Sequence, residues 1–323
     1  GANTLTLNGP AISGTSGNLS TTSSSSLAFG GSSSGVSIPS SVAALSNLTL
    51  GNSAGVSPGG NLAISGNLSV NAGTFDLGSF TANRAVAGGT LTVGSGATLR
   101  IGGTGTLPSN YSTRTFNAAS TIEYYGSGQN VSAEVYGNLT TSGSGTKALQ
   151  AGTTSIAGAL TIGSSTTFAA GANSFTIAGN WVNNGTFSAN SGQVVTFNGA
   201  AAAQSIGGTA STSFADIAMG TANIGAAVTM NNDNSCTSLT FGTDNTAISL
   251  THSGSAALTV NGNVSVNQAS GGGVVHAWNI NAGSSTVTGN LSINVTAANA
   301  GRVAKVVITT GTLTIQGSLT MSN

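Results

Sequence analysis

The chain has 323 residues, only 4% of them charged, and its six Lys and Arg balance its six Asp and Glu. A formal net charge of zero removes the basic footprint that phosphate backbones require, which argues against nucleic-acid binding. Ample aliphatic content with so little charge argues against disorder, and 49 glycines with abundant Ser, Thr and Asn predict a neutral, hydroxyl-rich surface.

No run approaches the roughly 18 apolar residues of a membrane helix. Aromatics, at 5%, are too few for the two girdles of an outer-membrane barrel, so no membrane insertion is expected. Cys236 is the only cysteine, which excludes internal disulfides and multi-cysteine metal sites. Composition points outside the cell, to a secreted or cell-surface protein.

Residues 1–60 contain Pro10, Pro39 and Pro58 and no charge. Proline cannot donate to a strand ladder and marks strand starts, edges and turns. We read 1–60 as an irregular N-terminal coil or docking segment, with Thr4, Leu5, Thr6 and Leu7 as an arm that pairs with a neighbour. The serine-rich stretches 23–26 and 32–34 read as surface loop.

Residues 61–323 read as one solenoid body. Leu62, Ile64, Leu68 and Val70 alternate with polar residues, the period-two signature of a strand with one buried face. Gly66 sits on the inward phase, where a side chain would collide as the chain bends toward its own core. Asn67 follows it, a residue type that tolerates left-handed angles.

The same phrase recurs at 175–183 around Gly179, 258–266 around Gly262, 285–293 around Gly289 and 313–321 around Gly317. The intervals between successive corner glycines are near four, three, one and one steps of a unit of about 28 residues, and such periodicity signals stacked repeats. The expected fold is all-β: a parallel β-solenoid with coils of that length, a right-handed β-helix by the crossover preference.

Asp76, Arg84, Arg100, Arg114, Glu123, Glu134 and Lys147 fall between residues 76 and 147 and read as solvated outward side chains. Residues 121–140 and 194–217 share a frame. Tyr124, Gly126, Gln129, Val131, Tyr136, Asn138 and Leu139 align with Phe197, Gly199, Gln204, Ile206, Phe214, Asp216 and Ile217. In this frame the sequence resembles the glycine- and threonine-rich β-strand-repeat surface proteins of Bacteroidota and related bacteria. The resemblance implies a parallel β-solenoid, display at the cell surface, and service in adhesion, filaments or envelope layers. That family's C-terminal sorting domain is not visible after Met321, which leaves the export route open.

Trp181 takes the position of Leu68, Val264 and Leu319 in the other copies and reads as core. Trp278 shares a phase with His276 and reads as core, with a stacked surface pair as the alternative. Tyr111, Tyr124, Tyr125 and Tyr136 read first as core or ladder residues, and are the best sugar-binding candidates as the alternative, offering a face and a hydroxyl. Glycosidic chemistry needs two facing carboxylates. Glu123 with Glu134, and Asp233 with Asp244, share one spacing that could set them on neighbouring strands, but it is no recognised signature, so no enzymatic activity is expected. Asp233 among Asn231, Asn232 and Asn234 reads as a turn rather than a calcium loop. His252, His276 and Cys236 lack ligand spacing, so no metal or cofactor is assigned.

A parallel solenoid leaves unpaired edges only on its first and last coils. The final strand phrase, with Leu313, Ile315, Leu319 and Met321, therefore reads as a docking edge. The expected function is that of a structural subunit, self-assembling head to tail into a cell-surface filament or sheath. The alternative is an adhesin stalk, or a carbohydrate- or ice-binding module of a longer surface protein, with surface glycans as a second class of partner.

Overall fold

The computed structural model describes residues 3–9, 19–199, 203–221, 224–242, 246–268, 273–295 and 301–322. Among them every regular element is a β-strand, and the strands stack in parallel as a β-solenoid. The contacts group the chain into two units, Gly1–Gln150 and Ala151–Asn323.

In the first unit the chain visits three sheets in rotation. Ser26–Phe29, Asn47–Leu50, Leu68–Val70 and Gly88–Val93 follow one another in the first sheet, and Thr4–Leu7 pairs onto its outer edge. Val36–Ile38, Val56–Pro58, Thr74–Asp76 and Thr98–Ile101 build the second, and Ala44–Leu45, Leu62–Ile64 and Ala82–Asn83 the third. The alternation places Phe29, Leu50, Val70 and Val93 in one inward column, all buried. Each such side chain contributes about 1.5–3 kcal/mol of hydrophobic stabilisation.

The second unit repeats the scheme. Phe175, Val195, Ile217, Leu239, Val264, Leu291 and Leu319 succeed one another in one column, with steps that lengthen toward the C-terminus. The coil length expected from the glycine spacing therefore describes only the last coils; the average is about 22 residues per turn. Strands keep register while corners absorb the extra residues. Gly179 leads off this side of the coil, from Phe175–Ile177 to Trp181–Asn183, whereas Gly262, Gly289 and Gly317 lead onto it. The interval from Gly179 to Gly262 thus links two different corners and is not a whole number of coils.

The corners work between coils. A Cβ on Gly289 would lie 2.6 Å from the carbonyl oxygen of Gly262, and one on Gly317 would lie 2.4 Å from that of Gly289. At Gly66 and Gly179 the same test meets Ser46 O at 2.6 Å and Gly158 O at 2.2 Å. At Gly262 it meets Thr237 O at 2.7 Å. The obstacle is the backbone of the preceding coil, not the chain's own core. None of the five has a positive φ, and among the described non-glycine residues only Asn110 and Ser165 do. The asparagine beside the glycine is not there for left-handed angles: Asn67 Oδ1 accepts from Thr90 N, and Asn263 Oδ1 from Asn290 N, each at 2.8 Å.

The shared glutamine frame has a common geometry. Gln129 Oε1 accepts from Gly126 N at 2.7 Å while its Nε2 donates to Ile101 O at 3.0 Å. Gln204 accepts from Gly199 N at 2.7 Å and donates to Ile177 O at 3.0 Å. Each buried glutamine satisfies backbone groups that a corner leaves unpaired.

Candidate functional site

Val303–Ile308, Thr312–Ile315 and Leu319–Ser322 are the last strands of their three sheets. Their inward-phase side chains are more exposed than those of the preceding coil. Leu319 and Met321 are 51% and 72% exposed, and Leu313 and Ile315 half-buried, whereas Val287 and Leu291, one coil earlier, are buried. Thr4, Leu5, Thr6 and Leu7 pair along one edge with Ser26–Phe29 of their own chain, and Leu5 is exposed.

A polar constellation lies on the outward face of the first unit's second sheet. Arg100 stands in register between Asp76 and Glu123, one residue on each neighbouring coil. Its Nη1 donates to Asp76 Oδ2 and its Nε to Glu123 Oε2, both at 2.7 Å. Tyr125 donates from Oη to Asp76 Oδ1 at 2.7 Å, and its ring centroid lies 4.1 Å from the Arg100 guanidinium carbon. Ser142 Oγ donates to Glu123 Oε1 at 2.6 Å, and Gly78 N to Asp76 Oδ1 at 3.0 Å. Partial burial, reinforced by the bond to Asp76, raises the Tyr125 phenol to about 12, so it remains a donor at neutral pH. Asp76 and Arg100 wall a cleft of about 310 Å³ that also meets Gly35, Ala54, Gly55, Ser57 and Thr74.

The other tyrosines offer no face to a ligand. Tyr111, Tyr124 and Tyr136 are buried, with Tyr111 Oη donating to Ala82 O at 3.0 Å and Tyr136 Oη to Ser132 O at 2.6 Å. Glu123 and Glu134 have separate partners, Arg100 and Arg114. Lys147 is not outward. It shares the inward phase of Leu149, is fully covered, and donates from Nζ to the carbonyls of Gly126, Ser127 and Ser144; burial lowers its pKa.

In the second unit Trp181 and Trp278 are both buried. Trp181 packs among Phe175, Phe187, Phe197 and Phe214, with centroids 4.8–6.4 Å away, and donates to Thr212 Oγ1 at 3.0 Å. Trp278 donates to His252 Nε2 at 2.8 Å, and burial lowers His252 to about 4. His276 is buried between the carbonyls of Asn267 and Thr246. Asp233 accepts from Ala257 N at 2.8 Å, a corner role, and Asp244 lies outside the described residues. Cys236 is buried, its thiol pushed up to about 12 by burial and by Asp216. Among the described residues no group of three or more His, Cys, Asp or Glu is placed to hold a metal ion.

The convergence of Asp76 and Glu123 on Arg100 has no local mark in the sequence; it follows from the register, which places each of them one coil from Arg100. Compared with known proteins, the chain matches no family model, no curated protein and no solved structure.

Proposed function

We propose that the protein is a structural component of an extracellular filament or sheath, in which the coil of Leu319–Ser322 of one copy stacks against a coil of the next. The observation that carries this reading is the exposure of the inward-phase Leu319 and Met321 on the last strand of its sheet among the described residues, where Leu291, one coil earlier in the Leu319 column, is buried. Such an edge templates another strand, and a head-to-tail contact that does not close generates a fibre. Sedimentation velocity over a concentration series, with negative-stain microscopy, tests it. Linear assemblies that disappear in Leu319→Lys/Met321→Lys support the proposal; monodisperse single chains at high concentration contradict it.

A second reading, contact with a repeating hydroxylated surface such as glycan or ice, is favoured by one feature. Thr176, Thr196, Thr240, Ser265, Ser292 and Thr320 fall in one outward column, interrupted by Ala218. Glycan-array and ice-affinity retention tests separate it from the first, because they require no self-association.

A further inference from the structure

We propose that the cleft beside Arg100 binds a neutral saccharide unit through adjacent hydroxyl groups. The site is pre-organised. Asp76 is held by Gly78 N, Tyr125 Oη and Arg100, and Glu123 by Arg100 and Ser142. Arg100 uses Nε and one Nη1 donor in these bonds, and a guanidinium carries five N–H groups. Its Nη2 donors have no protein partner among the described residues and are left for a ligand. The hydroxyls of Ser57 and Thr74 border the same cleft.

The shape follows from residue size. Gly35, Ala54, Gly55 and Ser57 leave the outward face low over two coils, and Asp76 and Arg100 on the next two raise a wall beside it. The volume, about 310 Å³, lies at the lower end of the roughly 300–1,000 Å³ of small-molecule clefts. Fixed donors and acceptors in such a cleft match a polyol, whose hydroxyls donate and accept together. Charge selects among glycans. Two carboxylates against one guanidinium leave the constellation net negative, which disfavours carboxylated or sulfated sugars and leaves neutral ones. This inference is independent of self-association, since none of these residues belongs to the coil of Leu319–Ser322.

The test is calorimetry or saturation-transfer NMR on the full chain with methyl β-D-glucopyranoside, methyl α-D-mannopyranoside, methyl β-D-galactopyranoside and, as the charged counterpart, methyl β-D-glucuronide. We expect millimolar binding of at least one neutral glycoside, at least roughly tenfold weaker binding of the glucuronide, and a loss of about tenfold or more in Arg100→Gln. Ser57→Trp, which fills the cleft and leaves the ion cluster intact, must abolish binding too, and it decides the matter if Arg100→Gln does not fold. Absence of binding by all three neutral glycosides, preference for the glucuronide, or binding that survives Ser57→Trp overturns the proposal.

Discussion

The backbone amide of Asn290 donates to Oδ1 of Asn263, one coil earlier, at 2.8 Å, and Asn290 in turn accepts from Ser318 N at 2.8 Å. The side chain of each coil thereby satisfies the corner amide of the next, while Gly289 lets the two corners approach. Asn263→Ala is expected to cost about 1 kcal/mol, the worth of an ordinary hydrogen bond. Gly289→Ala should cost more, about 2–3 kcal/mol, because its Cβ would meet Gly262 O at 2.6 Å and strain of this kind must displace backbone. Urea denaturation of the two variants measures both effects, and the order of severity is the prediction.

Stability should depend on pH through His252. Its folded pKa, about 4, lies below the ordinary 6.5, so between those values the unfolded chain binds the extra proton. The contribution is fully present above pH 6.5 and is lost as pH falls toward 4, by about 3 kcal/mol in all. Unfolding free energies at pH 7.5 and 4.5 should differ by more in the wild type than in His252→Gln, which keeps an acceptor for Trp278.

Cys236 reports on coil opening. Buried, and with its thiol pushed up to about 12, it should resist a disulfide reagent at pH 8 and react only as denaturant opens the coil, since the thiolate is the nucleophile. Labelling of the native protein at the rate of a free thiol would contradict the inward placement of the strand Asn234–Cys236.

Trp181→Ala removes the ring shared by Phe175, Phe187, Phe197 and Phe214. The cavity should cost about 3–5 kcal/mol, seen as a lower denaturation midpoint with an unchanged slope. Arg100→Gln, whose ion pairs are about one-third exposed on the arginine side, should cost no more than about 1 kcal/mol. The contrast separates a core residue from a surface one.

Strands and corners were legible because alternation and glycine are local signals, and the phrase at 258–266 displays both. Coil length was less so. Gly262, Gly289 and Gly317 share one corner and report their true spacing, but Gly179 sits at another corner and made its interval to Gly262 look periodic. Lys147 was misread as solvated because charge was weighed above phase; its parity with Leu149 already placed it inward. The meeting of Asp76, Arg100 and Glu123 depends on the lengths of two particular coils, both shorter than the last ones, and corners of variable length hide such a match.

Residues one coil apart lie side by side in parallel register. Engineered cysteines in a Cys236→Ala background test it directly. Ser265 and Ser292 face each other on adjacent strands, about 4.8 Å apart and inside the disulfide window of about 4.4–6.8 Å, whereas Thr320 is a coil further on. Ser265→Cys/Ser292→Cys should form an intramolecular disulfide readily under mild oxidation and Ser265→Cys/Thr320→Cys should not; failure of the first pair, or equal cross-linking of both, would contradict the stacked coil.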